Sequence, residues 1–171
     1  LTFVTYAPVL SGGFVWDDPL LIRQNPLVTG EGRWISIWFQ TDFPLSTIAW
    51  ALLHALWGER AAGYHVVNVA LHALNAALVW RVLRTLGARA AGLAAALFAV
   101  HPVAVASAAW ISELKNTLAL AFALVAVWLF LQSETARDAV RAASDRAAST
   151  TERRRARTLY AASVVAFLFA L

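Results

Sequence analysis

Residues 64–86 read YHVVNVALHALNAALVWRVLRTL, and this stretch decides the fold class. It holds no Asp, Glu, Lys or Arg before Arg81, and a helix of this length crosses a hydrocarbon layer of about 30 Å with some tilt. Arg81 and Arg84 close the apolar run, and Gly87 follows as the expected left-handed cap residue. Within the run, His65, Asn68, His72 and Asn75 recur at helical spacing and fall on one stripe about 80° wide. A polar stripe on a spanning helix faces protein or a water-filled cavity rather than lipid. Asn68 and Asn75 are expected to make hydrogen bonds between helices, each worth about 0.6–2 kcal/mol. His65, nearest the outer end, is the better site candidate.

The rest of the chain agrees with a membrane solvent. Of its 171 residues 60% are hydrophobic and 14% charged, with a mean hydropathy of +0.63, whereas a soluble domain is about 45–50% apolar and about 25% charged. An all-α, polytopic membrane bundle with about five spans is expected. Residues 1–10 read as the last part of a first span and 64–86 as the second, and 88–100 return outward to an interruption at His101-Pro102. Residues 104–132 read as one long helix that crosses back from 111, and 159–171 begin a fifth span. The expected organisation is a membrane domain over 1–132 with a first outer loop at 11–60, then an Arg/Ala/Ser-rich cytoplasmic linker at 133–158, then the further helix from 159. In the outer loop, the Trp-bearing segments 33–40 and 45–57 are too short to span and read as helices lying in the membrane interface. The first residue is not Met and the last lies inside an apolar run, so the chain reads as an excised piece with incomplete outermost helices. Without cysteine there is no disulfide or thiolate chemistry.

Charge assigns the sides. Residues 1–76 carry Arg23, Arg33 and Arg60 against five acids, whereas ten further Arg sit at 81, 84, 89, 137, 141, 146, 153, 154, 155 and 157. The positive-inside rule makes those Arg-rich connections cytoplasmic. A nucleic-acid surface is not expected, because these Arg terminate apolar helices and no aromatic stacking pattern accompanies them. The opposite, outer side then gathers Asp17, Asp18, Asp42 and the tip 101–116.

Carboxylates at an outer membrane face can accept a proton from a hydroxyl or bind a divalent cation. Asp17 and Asp18 suit either use, and the plain alternative is that Asp18-Pro19 merely opens a turn. Asp42, before Phe43-Pro44, is either a helix cap or a site member. His101, Glu113, Lys115 and Asn116 crowd the tip. Lys115, the sole lysine, would hold a phosphate as a point charge or else snorkel to the headgroups.

The motifs Phe14-Val15-Trp16-Asp17-Asp18, Asn25-Pro26, Phe43-Pro44-Leu45, Leu56-Trp57-Gly58, Tyr64-His65-Val66-Val67-Asn68, His72-Ala73-Leu74-Asn75 and His101-Pro102 through Trp110-Ile111-Ser112-Glu113 to Lys115-Asn116 stand in one order. In that order the chain resembles the membrane half of the transmembrane and tetratricopeptide-repeat O-mannosyltransferase-like family, within the GT-C superfamily of glycosyltransferases. The resemblance covers most of 14–132. It implies a catalytic acidic pair at Asp17 and Asp18, and a sugar donor carried on a polyprenyl or dolichyl phosphate. It further implies a protein hydroxyl as acceptor, and tetratricopeptide repeats elsewhere in the protein. Asp42, His65, His101, Glu113, Lys115 and Asn116 are the candidate substrate-binding residues. The tip departs from the family pattern at Ala104, Ala106 and Leu114, where a His, a Glu and an Arg are common. Two alternatives therefore stand beside the enzyme: an inactive scaffold of the same family, and a transporter or channel subunit. No acid lies between 61 and 112, which favours an interfacial site over a transmembrane relay. A divalent metal is left open, lipid is the expected surrounding, and the expected location is a bacterial cell membrane with the site facing outward.

The charge map yields a topology test. An impermeant thiol reagent should modify Asp17→Cys from outside intact cells, and Arg154→Cys only after permeabilisation. Labelling of both from the same side would overturn the sidedness.

Overall fold

The structure, a computed structural model, describes residues 1–30, 34–142 and 150–171. Arg33 and Arg146, and the linker residues 143–149, lie outside the described residues. Among those described, all regular structure is helical: α1 (Thr2–Thr5), α2 (Pro26–Thr29), α3 (Trp34–Gln40), α4 (Pro44–Trp57), α5 (Ala61–Thr85), α6 (Ala91–Val100), α7 (Val105–Ala109), α8 (Leu114–Ala142) and α9 (Thr150–Ala170), with single 3-10 or π turns between some of them.

The expected span at 64–86 is α5. Its end is a Schellman closure: the Gly87 N–H donates to the Arg84 carbonyl and the Ala88 N–H to the Leu83 carbonyl, each at 3.0 Å, with Gly87 at φ 78°. Among the described residues two helices are long and apolar enough to cross a membrane, Ala61–Thr85 and Ile111–Ala142, and a third pass is present if the bent pair Ala91–Val100 and Pro102–Ala109 counts as one. The expectation of about five spans is therefore corrected to two or three. At the start, α1 is four residues long and gives way to a 3-10 turn, Ala7–Ser11, around Pro8. At the other end, Glu152, Arg153, Arg154, Arg155 and Arg157 fill the first third of α9.

The long helix expected over 104–132 is also corrected. It is broken into a 3-10 turn (Pro102–Ala104), α7, a second 3-10 turn (Ile111–Glu113) and α8. The break falls at Trp110, whose φ −85° and ψ 126° are extended. The segments expected as short helices at 33–40 and 45–57 appear as α3 and α4. The sequence-defined linker 133–158 is helical where it is described, continuing α8 to Ala142 and starting α9 at Thr150.

Two compact units share the helices, one formed by Leu1–Ala76 with Ala96–Leu118 and the other by Ala77–Ala95 with Ala119–Leu171. In the first, Ile22, Val28, Trp50, Leu53, Tyr64, Ile111 and Leu114 form a buried core. This core joins the outer loop to the start of α5 and the start of α8. Its seam is a polar ladder. Asn68 Nδ2 donates to the Trp110 carbonyl at 2.7 Å, and Asn75 Nδ2 to the Thr117 carbonyl at 2.9 Å. The seven steps from Asn68 to Asn75 match the seven from Trp110 to Thr117, so α5 and the start of α8 run parallel there, and the chain between must return. His72 Nε2 meets the Ala99 carbonyl of that return at 3.2 Å.

In the second unit, Phe122 stacks near Phe169 (5.6 Å between ring centroids) and Phe130 near Tyr160 (6.5 Å), which makes α8 and α9 antiparallel there. Many large apolar side chains of this unit stay exposed, among them Leu93, Phe167 and Leu168, as lipid-facing residues do.

Gly63 explains one sequence choice. A Cβ there would lie 2.3 Å from Trp57 Cδ2 and 2.4 Å from Cγ, at the root of the indole rather than its tip. Gly63→Ala should therefore unseat Trp57 and destabilise the fold by about 1–3 kcal/mol, read as a lower melting temperature of the detergent-purified protein. An unchanged melting temperature would refute this packing.

Candidate functional site

The acidic pair is built by a tight turn. The Asp18 N–H donates to the Val15 carbonyl at 3.0 Å, and the Val15 N–H donates to Asp18 Oδ2 at 2.9 Å. Trp16 stands inside that turn at φ 52°, the only non-glycine among the described residues with a positive φ. A bulky side chain there is strained by something of order 1–3 kcal/mol, and such strain gathers at functional sites.

The strained turn lets two neighbouring acids reach the same distant residue. Ser112 donates its backbone N–H to Asp18 Oδ1 at 2.8 Å and its hydroxyl to Asp17 Oδ1 at 2.9 Å, across more than ninety positions of chain. Ser112 lies in the first turn of the helical run that becomes α8, so Asp18 caps that helix from a different segment. A carboxylate satisfies the free N–H groups there and is favoured by the helix dipole.

The pair thus divides into unlike members. Asp18 is fully buried, with each carboxylate oxygen accepting a backbone N–H. Asp17 is half-buried and engages one oxygen with the Ser112 hydroxyl. Asn68 on the Trp110 carbonyl and Asp18 on the Ser112 N–H grip the tip on either side of Ile111, and this breaks the helix expected over 104–132.

The other candidates fall at graded distances from this clamp. Glu113 accepts a short hydrogen bond from Asn116 Nδ2, and Lys115 Nζ lies 4.0 Å from Glu113 Oε1 and 5.3 Å from the centre of the Phe43 ring. Those three tip residues form one polar group, with Phe43 bringing α4 against it. Asp42, next to Phe43, is exposed, and the helix cap position is Phe43 itself, so Asp42 does not serve as the cap. His65 is buried against the loop. A Cβ on Gly12 would approach its Nε2 to 3.1 Å, and neither ring nitrogen makes a hydrogen bond. His101 is exposed and turned to local use, its Nδ1 accepting the Val103 N–H at 3.2 Å at the bend. Arg23 is paired with Glu59 and lies over Phe14. Among the described residues no three His, Asp or Glu side chains group as metal ligands would.

Two contributors were missed by sequence reasoning. Ser112 sits inside a motif quoted for resemblance, but nothing local marks it as the meeting point of both acids. Trp16 is 83% exposed, with its ring edge-on to Trp110 at 4.9 Å, a second contact between the turn of the acids and the tip. Its place immediately before the acids was the only available signal.

The chain is 38% identical over 122 residues to the protein O-mannosyl-transferase Tmtc1 of Drosophila melanogaster, covering 60% of this chain and 14% of that protein. It is 38% identical over 121 residues to Tmtc2 of the same fly, covering 60% and 13%. It is also 29% identical over 153 residues to the protein O-mannosyl-transferase F38B6.6 of Caenorhabditis elegans, covering 78% and 22%. The chain thus spans about one seventh of the fly relatives' length. No family model matches it, and no solved structure does. The resemblance read from the motifs holds, and the chain is similar to the TMTC protein O-mannosyl-transferases. These relatives are eukaryotic, so the expected bacterial cell membrane is not supported; a membrane protein is.

The division between the acids gives a stability test. Asp18→Ala leaves two backbone N–H groups without their acceptor, at about 1–3 kcal/mol each when buried, and should lower the melting temperature far more than Asp17→Ala. Equal shifts for the two variants would overturn the assignment of Asp18 as the fastening group.

Proposed function

We propose that this chain carries the outer-face site of a GT-C-type glycosyltransferase. It would transfer a sugar, mannose by the names of its relatives, from a polyprenyl- or dolichyl-phosphate donor to a protein hydroxyl. The observation that carries the reading is the unequal acidic pair on Ser112: one carboxylate buried and fully engaged, the other half-buried with a hydroxyl partner. In this reading Asp17 is the general base. It takes the proton of the acceptor hydroxyl as that oxygen attacks the anomeric carbon, and the lipid phosphate leaves with the electron pair of the broken glycosidic bond. Asp18 does not touch the reacting atoms; it holds the turn and the α8 terminus so that Asp17 has one position, and orientation supplies a large part of such rate enhancements.

Lys115 is the cation of choice for the departing phosphate. Arg23 is committed to Glu59 and Arg33 lies outside the described residues, whereas Lys115 stands on the tip one turn beyond Ser112. The exposed Trp16 ring offers an apolar face beside the base, the kind of surface on which a sugar ring packs. Tetratricopeptide repeats elsewhere in the whole protein would present or select the acceptor.

The scaffold reading keeps one observation of its own, the replacement of three polar tip positions by Ala104, Ala106 and Leu114. Transfer assays on membranes containing the whole protein separate the two. Asp17→Asn should lower mannose transfer from the lipid-phosphate donor by about 10²–10⁴-fold, the usual contribution of a general base, with expression and melting temperature near wild type. Undiminished transfer by that variant would remove Asp17 from the mechanism. A wild type inert with every lipid-linked donor would favour the scaffold.

A further inference from the structure

The second unit holds a cavity that the proposed reaction does not use. It measures about 270 Å³ and is lined by Arg81, Arg84 and Thr85 of α5 and by Trp128 and Gln132 of α8. The Arg81 guanidinium lies 5.1 Å from the centre of the Trp128 ring, and that of Arg84 lies 5.1 Å from the Trp80 ring. Neither arginine has an acidic partner among the described residues, while the nearest acids along α8, Glu134 and Asp138, are taken by Arg137 and Arg141. An indole on one face orients a guanidinium without consuming its N–H fork, which leaves donors in the geometry that matches a phosphate. The Thr85 hydroxyl proton is already given to the Arg81 carbonyl at 2.9 Å, so Gln132 is the neutral donor of the lining.

The level of the cavity identifies its occupant. Arg81 is the first Arg, Lys, Asp or Glu of α5, and Gln132 is the first polar residue after the apolar run 118–131 of α8. Both helices thus change from apolar to polar at this height, with Trp80 and Trp128 placed as interfacial tryptophans are. The volume is below that of pockets for drug-sized ligands and suits a headgroup. The geometry points to a binding site for the phosphate of an anionic membrane lipid, clasped by Arg81 and Arg84.

Native mass spectrometry of the whole protein, purified in detergent and offered phosphatidylglycerol with phosphatidylcholine, tests the site. The wild type should retain phosphatidylglycerol about tenfold or more over phosphatidylcholine, the factor corresponding to one charge-assisted hydrogen bond. Arg81→Gln with Arg84→Gln should abolish that preference. Arg81→Lys with Arg84→Lys should lose most of it, because lysine keeps the charge without the fork. Trp128→Leu, which leaves every charge in place, should weaken it and serves if the glutamine variant does not fold. Arg89→Gln, in the same unit but outside the cavity, should change nothing. Full preference in the lysine variant would overturn the site in favour of diffuse attraction by basic residues. Displacement of the lipid by inorganic phosphate would overturn the lipid as occupant in favour of a soluble phosphate.

Discussion

The hydrogen bonds that Ser112 gives to Asp17 and Asp18 are the constraint on which the first unit depends. The loop before α5 contains only short helices, and Pro8, Pro19, Pro26 and Pro44 prevent them from merging. Such a loop has no fixed place over a membrane bundle unless something fastens it. Burying Asp18 would be prohibitive for a lone carboxylate. Here each oxygen has a backbone N–H, one of them from a helix terminus that needs an acceptor in any case. One side chain thereby satisfies two segments, and the core around Trp50, Tyr64, Ile111 and Leu114 closes over the join.

The polar stripe of α5 extends the same logic along the bundle. In hydrocarbon, apolar side chains do not choose one neighbour over another, so register between spans falls to hydrogen bonds and small residues. Asn68, His72 and Asn75 each reach a backbone carbonyl. Because these acceptors are main-chain atoms, the register tolerates changes in the side chains around them.

How much of this was legible follows from how local each cause is. The limits of α5 were readable because apolar length, Arg81, Arg84 and Gly87 act within the segment itself. The use of Asn68 and Asn75 was readable from spacing, and the meeting of the first loop with the tip from charge sidedness. The number of spans was not, since whether the bent pair of α6 and the segment after His101-Pro102 makes one pass depends on the bend, which apolar length does not show. The break at Trp110 was beyond reach, because its cause lies 42 positions away at Asn68 and 94 positions separate Asp18 from Ser112. The unequal status of Asp17 and Asp18 was equally hidden. Adjacent identical residues carry no local mark that distinguishes them, and only the turn around Trp16 buries one and leaves the other half-buried.

The parallel course of α5 and α8 has an electrostatic consequence. Antiparallel neighbours cancel their backbone dipoles, whereas parallel ones add, each end carrying roughly half an elementary charge. Both positive ends point toward the clamp, where Asp18 already answers one of them, and the field there lowers the energy of any negative group that arrives. At their C-termini, Arg84 and Arg141 stand in the last turns of α5 and α8, where a cation complements the negative end of a helix dipole. Within the first unit the starts of α5 and α8 therefore set like dipole ends side by side, and the main chain alone makes the ground on which Asp17 and Asp18 stand electropositive.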